Sequence, residues 1–143
     1  MELLMMNDCS LLAYFGGLWV LHALISSFLA ILFLQSALDK AFHFRGNLDW
    51  LKGHFASSAL AGMVPLLLSV LTFMELAAGM LCAVGVVEIL LYRTMCFSFA
   101  GALASGVTLL MLFFGQRVAK DYAGAVALVP YFILVVIQLV FLV

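Results

Sequence analysis

Four long stretches of this 143-residue chain hold one charged residue between them, and that restricts the fold more than any other feature. They run from Cys9 to Leu38, Phe55 to Val87, Thr94 to Gln116 and Tyr122 to Val143. Each reaches the ~20 residues that a helix needs to cross the hydrocarbon of a bilayer. A transmembrane β-barrel would instead show alternating segments of about 10 residues, half as long and apolar on one face only. The expected fold is therefore all-α, an integral membrane four-helix bundle forming a single domain over 1–143. Its spans are expected near 14–38, 64–87, 94–115 and 122–143, with an interfacial segment over 39–58.

Composition agrees: 68% of the residues are hydrophobic and 9% charged, against roughly one-half and one-quarter in a soluble domain. The net charge is −1 and no basic stripe is present, so the pattern excludes a nucleic-acid partner. The opening "MELLMMNDCS" has no Lys or Arg and no small-residue cleavage site, so the first helix is expected to be retained. Cys9, Cys82 and Cys96 make neither a C-x-x-C pair nor a zinc spacing, and no metal is expected. Cys82 and Cys96 flank the short second connection, where small apolar packing residues are the simpler reading than a redox pair.

The one acid within these stretches is Glu75, in "VLTFMELAAGMLCAVG". With a span over 64–87 it lies about 16 Å along the helix at 1.5 Å per residue, near the bilayer midplane. An acid at that depth costs roughly 2.5–3.5 kcal/mol on insertion scales, so it must be neutral, paired or facing a polar cavity. His22 on the first span is one candidate partner. Lys40, at the end of that span, is expected to reach inward only partway. Thr72, Ser98, Ser105, Thr108, Tyr131 and Gln138 offer neutral hydrogen bonds. Glu75 is then either a functional proton or quinone site or an interhelical polar contact. A lone His22 supplies no bis-histidine haem spacing.

Gly79 and Ala83 lie one and two turns past Glu75, and Gly101, Ala102, Ser105 and Gly106 form overlapping small-x-x-x-small pairs on the third span. Such residues mark faces where helices approach closely. The polar connection "DKAFHFRGNLDWLKGHF" mixes Trp50, Leu51 and Phe55 with a charge cluster of Lys40, Arg45 and Lys52, a composition suited to headgroups. Within it Asn47 is expected to cap a short helix carrying Asp49 in its first turn, and Pro65 to open the second span. Phe113, Phe114 and Trp50 suit interface belts or packing. Five basic residues sit in the first and third connections and only Arg93 on the other side. The positive-inside rule then places both termini outside the cytoplasm.

"FLQSALDKAFHF" (Phe33 to Phe44) and "LTFMELAAGMLCAVGV" (Leu71 to Val86) together resemble the DoxX family of small four-span membrane proteins. The resemblance rests on Ser36 and Lys40 at the end of the first helix, followed by Glu75, Gly79 and Gly85 in the second. It covers roughly Ala30 to Val87; beyond that only length and hydropathy agree. It implies a small accessory subunit of a quinone-linked respiratory complex in a bacterial inner membrane. Such a subunit would have no intrinsic cofactor, a quinone or lipid as possible ligand, and other membrane subunits as partners. The alternative is a structural or assembly factor without a redox role. A transporter would need oligomerisation to build a pathway from four helices and one acid.

Overall fold

The computed structural model describes the backbone of residues 8–142 and the side chains from Gly17 to Leu142. The chain is all-α: α1 Asp8–Phe42, α2 Phe44–His54, a 3-10 turn Ala61–Met63, α3 Val64–Tyr92, α4 Cys96–Val118, α5 Tyr122–Ala127 and α6 Val129–Leu142. Four segments, Gly17–Phe42, Ala61–Tyr92, Cys96–Val118 and Tyr122–Leu142, are long and apolar enough to cross a membrane. This is a multi-pass helical bundle.

Its outer surface differs from that of a soluble bundle. Large apolar side chains such as Ile31 (66% exposed) and Phe73 (69%) point outward, where only lipid would accept so much of them. Inside, small and polar residues let the backbones close up. On α3 the buried positions Val64, Leu68, Glu75, Ala78, Cys82, Gly85 and Ile89, with half-buried Leu71, advance in alternating steps of four and three. On α1 the same steps connect His22, Ser26, Leu29, Phe33, Ser36 and Lys40. A stripe with that repeat keeps one seam against a neighbour along the whole helix, as in left-handed bundles. Accordingly α1 packs mainly on α3, α3 on α4, and α4 on α5 and α6.

Glycines set the closest approach. A Cβ on Gly85 would stand 2.7 Å from the Ser98 backbone nitrogen, one on Gly101 2.8 Å from Cys82, and one on Gly79 2.8 Å from Leu34. The first two pairs fix the antiparallel register of α3 on α4, and that register brings Thr108 to the level of Glu75.

The first span extends further than its sequence suggests, with α1 running to Phe42, and α2 follows after His43 alone. Asn47 is therefore not the cap. The cap position is His43, which makes no side-chain cap bond, and the first turn of α2 holds no acid, so Asp49 sits further in. Asn47 Nδ2 instead reaches the Asp39 carbonyl at 3.5 Å. The expected continuous fourth span is interrupted at Leu128. Pro130, two residues on, has no N–H to give the Val126 carbonyl and crowds the preceding turn. Pro65 does sit in the first turn of α3.

Glu88 has a role that its position alone did not suggest. Its carboxylate accepts the amides of Phe97 (2.8 Å) and Cys96 (3.2 Å) and the Thr94 hydroxyl (2.9 Å). Met95, at the cap position of α4, makes no side-chain cap bond, so Glu88 caps from the preceding helix and faces the positive end of the α4 dipole. Glu88→Ala is expected to cost about 1–2 kcal/mol. Hydrogen exchange should show it as faster exchange of the Cys96 and Phe97 amides, with α1 unaffected.

Candidate functional site

Ser36 and Lys40 are one helical turn apart, which stacks them on one face of α1. That face meets Glu75 on α3. Lys40 Nζ lies 3.1 Å from Glu75 Oε1 and 3.0 Å from Oε2. It also donates to Ser36 Oγ at 2.7 Å, and Ser36 Oγ donates to Oε1 at 3.1 Å. The three side chains close a triangle on Oε1. Oε2 has only the oblique ion contact with Lys40 and no aligned donor among the described residues. The Glu75 side chain is 2% exposed and that of Lys40 19%, so the ammonium keeps one edge free while the carboxylate has none.

This geometry corrects three expectations about Glu75. Lys40 reaches it fully, because α1 ends two residues later and the stem turns inward along α3. Lys40 thus leaves the charge cluster, while Arg45 and Lys52 stay exposed on α2. His22 is no partner: it lies 18 residues before Lys40 on α1, about 27 Å away at 1.5 Å per residue. Nor do the neutral donors reach Glu75. Thr72 and Thr108 bond back to the carbonyls of Leu68 and Ala104.

Two further polar groups occupy the interior nearer the chain termini. Gln138 Nε2 donates to Ser26 Oγ (2.7 Å) and Ser98 Oγ (2.8 Å), which also bond each other at 2.8 Å, joining α6, α1 and α4. His22, one turn from Ser26, is buried, with Nδ1 unpartnered among the described residues. Cys82 Sγ lies 3.6 Å from Ser105 Oγ and opposite Gly101, a packing position. Cys96 is free and exposed at the start of α4, and the Cys9 side chain lies outside the described residues. No group of three or more His, Cys, Asp or Glu able to hold a metal occurs among the described residues.

Ser36, which links Lys40 to Glu75, was legible as part of the family pattern but not as a partner of the acid. The signal was its spacing of four from Lys40. No protein-family model matches the chain, and no curated protein and no solved structure gives a significant match.

Chemically, the triangle is a neutralised ion pair. A carboxylate held by one ammonium and one hydroxyl joins two helices, and nothing in the network is open to a second ligand except the exposed edge of Lys40.

Proposed function

We propose that the chain is a DoxX-like accessory subunit of a quinone-linked redox assembly in the membrane, dependent on partner chains for its chemistry. One observation carries this reading. Ser36, Lys40 and Glu75, on which the resemblance rests, meet in a single network, and Gly79 lies against Leu34 one turn away. Four of the five residues that carry the resemblance thus share one place on the α1–α3 seam, while Gly85 packs on Ser98 of α4. Used this way, the acid is a clamp that presents a fixed bundle surface to neighbouring subunits. The redox cofactors belong to those subunits, and quinone or lipid reaches the bundle from the bilayer. The same reading puts both termini outside the cytoplasm, with Arg45, Lys52, Arg117 and Lys120 at its cytoplasmic face.

Gentle purification from native membranes is the test. Dehydrogenase or oxidase subunits should co-purify, and membranes lacking the chain should reduce or oxidise quinone more slowly. With Glu75→Gln, the amount of assembled complex should fall several-fold, as a loss of about 1–2 kcal/mol produces, while turnover per assembled complex stays near that of the parent. A chain recovered alone, with quinone turnover unchanged by its deletion, rules the reading out.

The closed clamp by itself also fits a second reading, that of a structural or assembly factor with no redox role. It differs in one result: deletion would deplete a membrane partner that carries no redox centre.

A further inference from the structure

The first helix stops two residues beyond Lys40, whereas α3 continues about three turns from Glu75 to its own start at Val64. The segment that returns alongside those turns is α2, and it fills the gap incompletely. A cavity of about 210 Å³ remains between α2, α3 and α4. Its walls are apolar: Trp50, Phe55, Leu67, Leu71, Met111 and Phe114 are among them, and the only polar side chains beside the Trp50 indole are His54 and Gln116.

Those two side chains are held in place. The His54 ring stacks on Trp50 (4.7 Å, 15°) and meets Phe55 edge-on. Gln116 is in the last turns of α4, whose end closes with Lys120 in the left-handed region, Asp121 N–H on the Gln116 carbonyl and Lys120 N–H on the Arg117 carbonyl, a Schellman closure. Asp121 then caps α5 by accepting the Gly124 amide at 2.9 Å, and its other oxygen comes to 3.7 Å from His54 Nε2. That is too long for a direct hydrogen bond. His54 Nε2 and Gln116 Oε1 are both shielded from solvent and both lack a hydrogen-bond partner among the described residues. Two orphaned polar atoms on side chains that line an apolar cavity are costly unless something bonds them.

We propose that this cavity binds an uncharged lipid with a hydroxyl-bearing head and an apolar tail. The hydroxyl oxygen accepts a hydrogen bond from His54 Nε2–H and the hydroxyl donates one to Gln116 Oε1, while the tail lies along Leu67, Leu71 and Met111. Charge sets the head. No Lys or Arg lines the cavity, and an anionic head beside His54 would face the Asp121 carboxylate. Glycerides and reduced quinones share this chemistry, and the site does not depend on the redox reading above.

The Trp19→Phe chain leaves Trp50 as its only tryptophan, and quenching of that residue by a monoacylglycerol brominated on its chain, in phosphatidylcholine vesicles, tests the site. Quenching should saturate at low mole fraction, whereas brominated phosphatidylcholine and brominated fatty acid, which reach the 63%-exposed Trp50 by collision, should quench in proportion to their mole fraction. Gln116→Leu, and separately His54→Phe, which keeps the stack on Trp50, should each weaken apparent binding about ten-fold, the loss of one buried hydrogen bond. Displacement of the probe by unlabelled monoacylglycerol or by a short-chain quinol identifies the source. Quenching by brominated phosphatidylcholine or fatty acid that saturates at the same low mole fraction, or unchanged binding in both variants, overturns the proposal.

Discussion

Lys40→Met is expected to be the most damaging single substitution on the α1–α3 seam, costing about 3–5 kcal/mol, because it strands a buried carboxylate. Ser36 would then supply the only hydrogen bond to Glu75, and neither Thr72 nor Thr108 is free to replace the ammonium, each being bonded to its own helix. Glu75→Gln should cost less, about 1–2 kcal/mol. The amide still accepts from Ser36, and Lys40, already partly exposed, can swing its head toward the interface. Replacing both residues, as Lys40→Met with Glu75→Leu, should recover most of the loss, since a well-packed apolar pair removes the desolvation penalty along with the attraction. Reversible unfolding in bicelles, run as a double-mutant cycle with exposed Lys52→Met as control, measures the coupling directly. If Lys40→Met proves no worse than Lys52→Met, the ion pair does not form in the membrane.

That asymmetry bears on what the sequence could tell. The bundle was legible because lipid imposes a length and a composition, and four stretches met both. Glu75 stood out for the same reason, as the only charge within them. Its partner was harder to read. Lys40 seemed too near the end of its span, and only the three-dimensional register shows that α3 overshoots α1, so that the end of one helix faces the middle of another. Ser36 was visible as a small residue in a family pattern, yet a hydroxyl on an apolar helix usually bonds back to its own turn, as Thr72 and Thr108 do here. His22 looked a better partner than Lys40 from sequence because depth along a span does not say which neighbour is opposite. The break at Leu128 was missed for a local reason: Pro130 was read as part of an apolar run when its absent N–H was the informative feature. Glu88 was passed over because an acid at a helix end looks like ordinary surface charge until the next helix start turns back onto it.

Toward the other end of α3 the constraint is backbone contact with α4. Gly85→Val should cost about 1–3 kcal/mol or more, because the new Cβ would stand 2.7 Å from the Ser98 nitrogen and 2.8 Å from its Cα, atoms that cannot turn aside as a flexible side chain would. Relief requires α4 to move outward, and α4 also carries Ser98 into the Gln138–Ser26 network. The displacement should therefore loosen polar contacts on two other helices as well as the α3–α4 seam. Gly106→Ala separates this steric account from a general dislike of substitution, since its Cβ would meet only Val135 Cγ1 at 3.5 Å and alanine favours the helix by up to about 1 kcal/mol. Gly101→Ala should resemble Gly85, with its Cβ 2.8 Å from the Cys82 nitrogen. These two sites are one turn apart on the same seam, so their effects should combine to less than the sum once the helices have separated. Thermal unfolding of the variants in one detergent ranks them. A Gly85→Val protein as stable as Gly106→Ala would mean that α3 and α4 do not approach this closely, and the register that sets Thr108 level with Glu75 would fall with it.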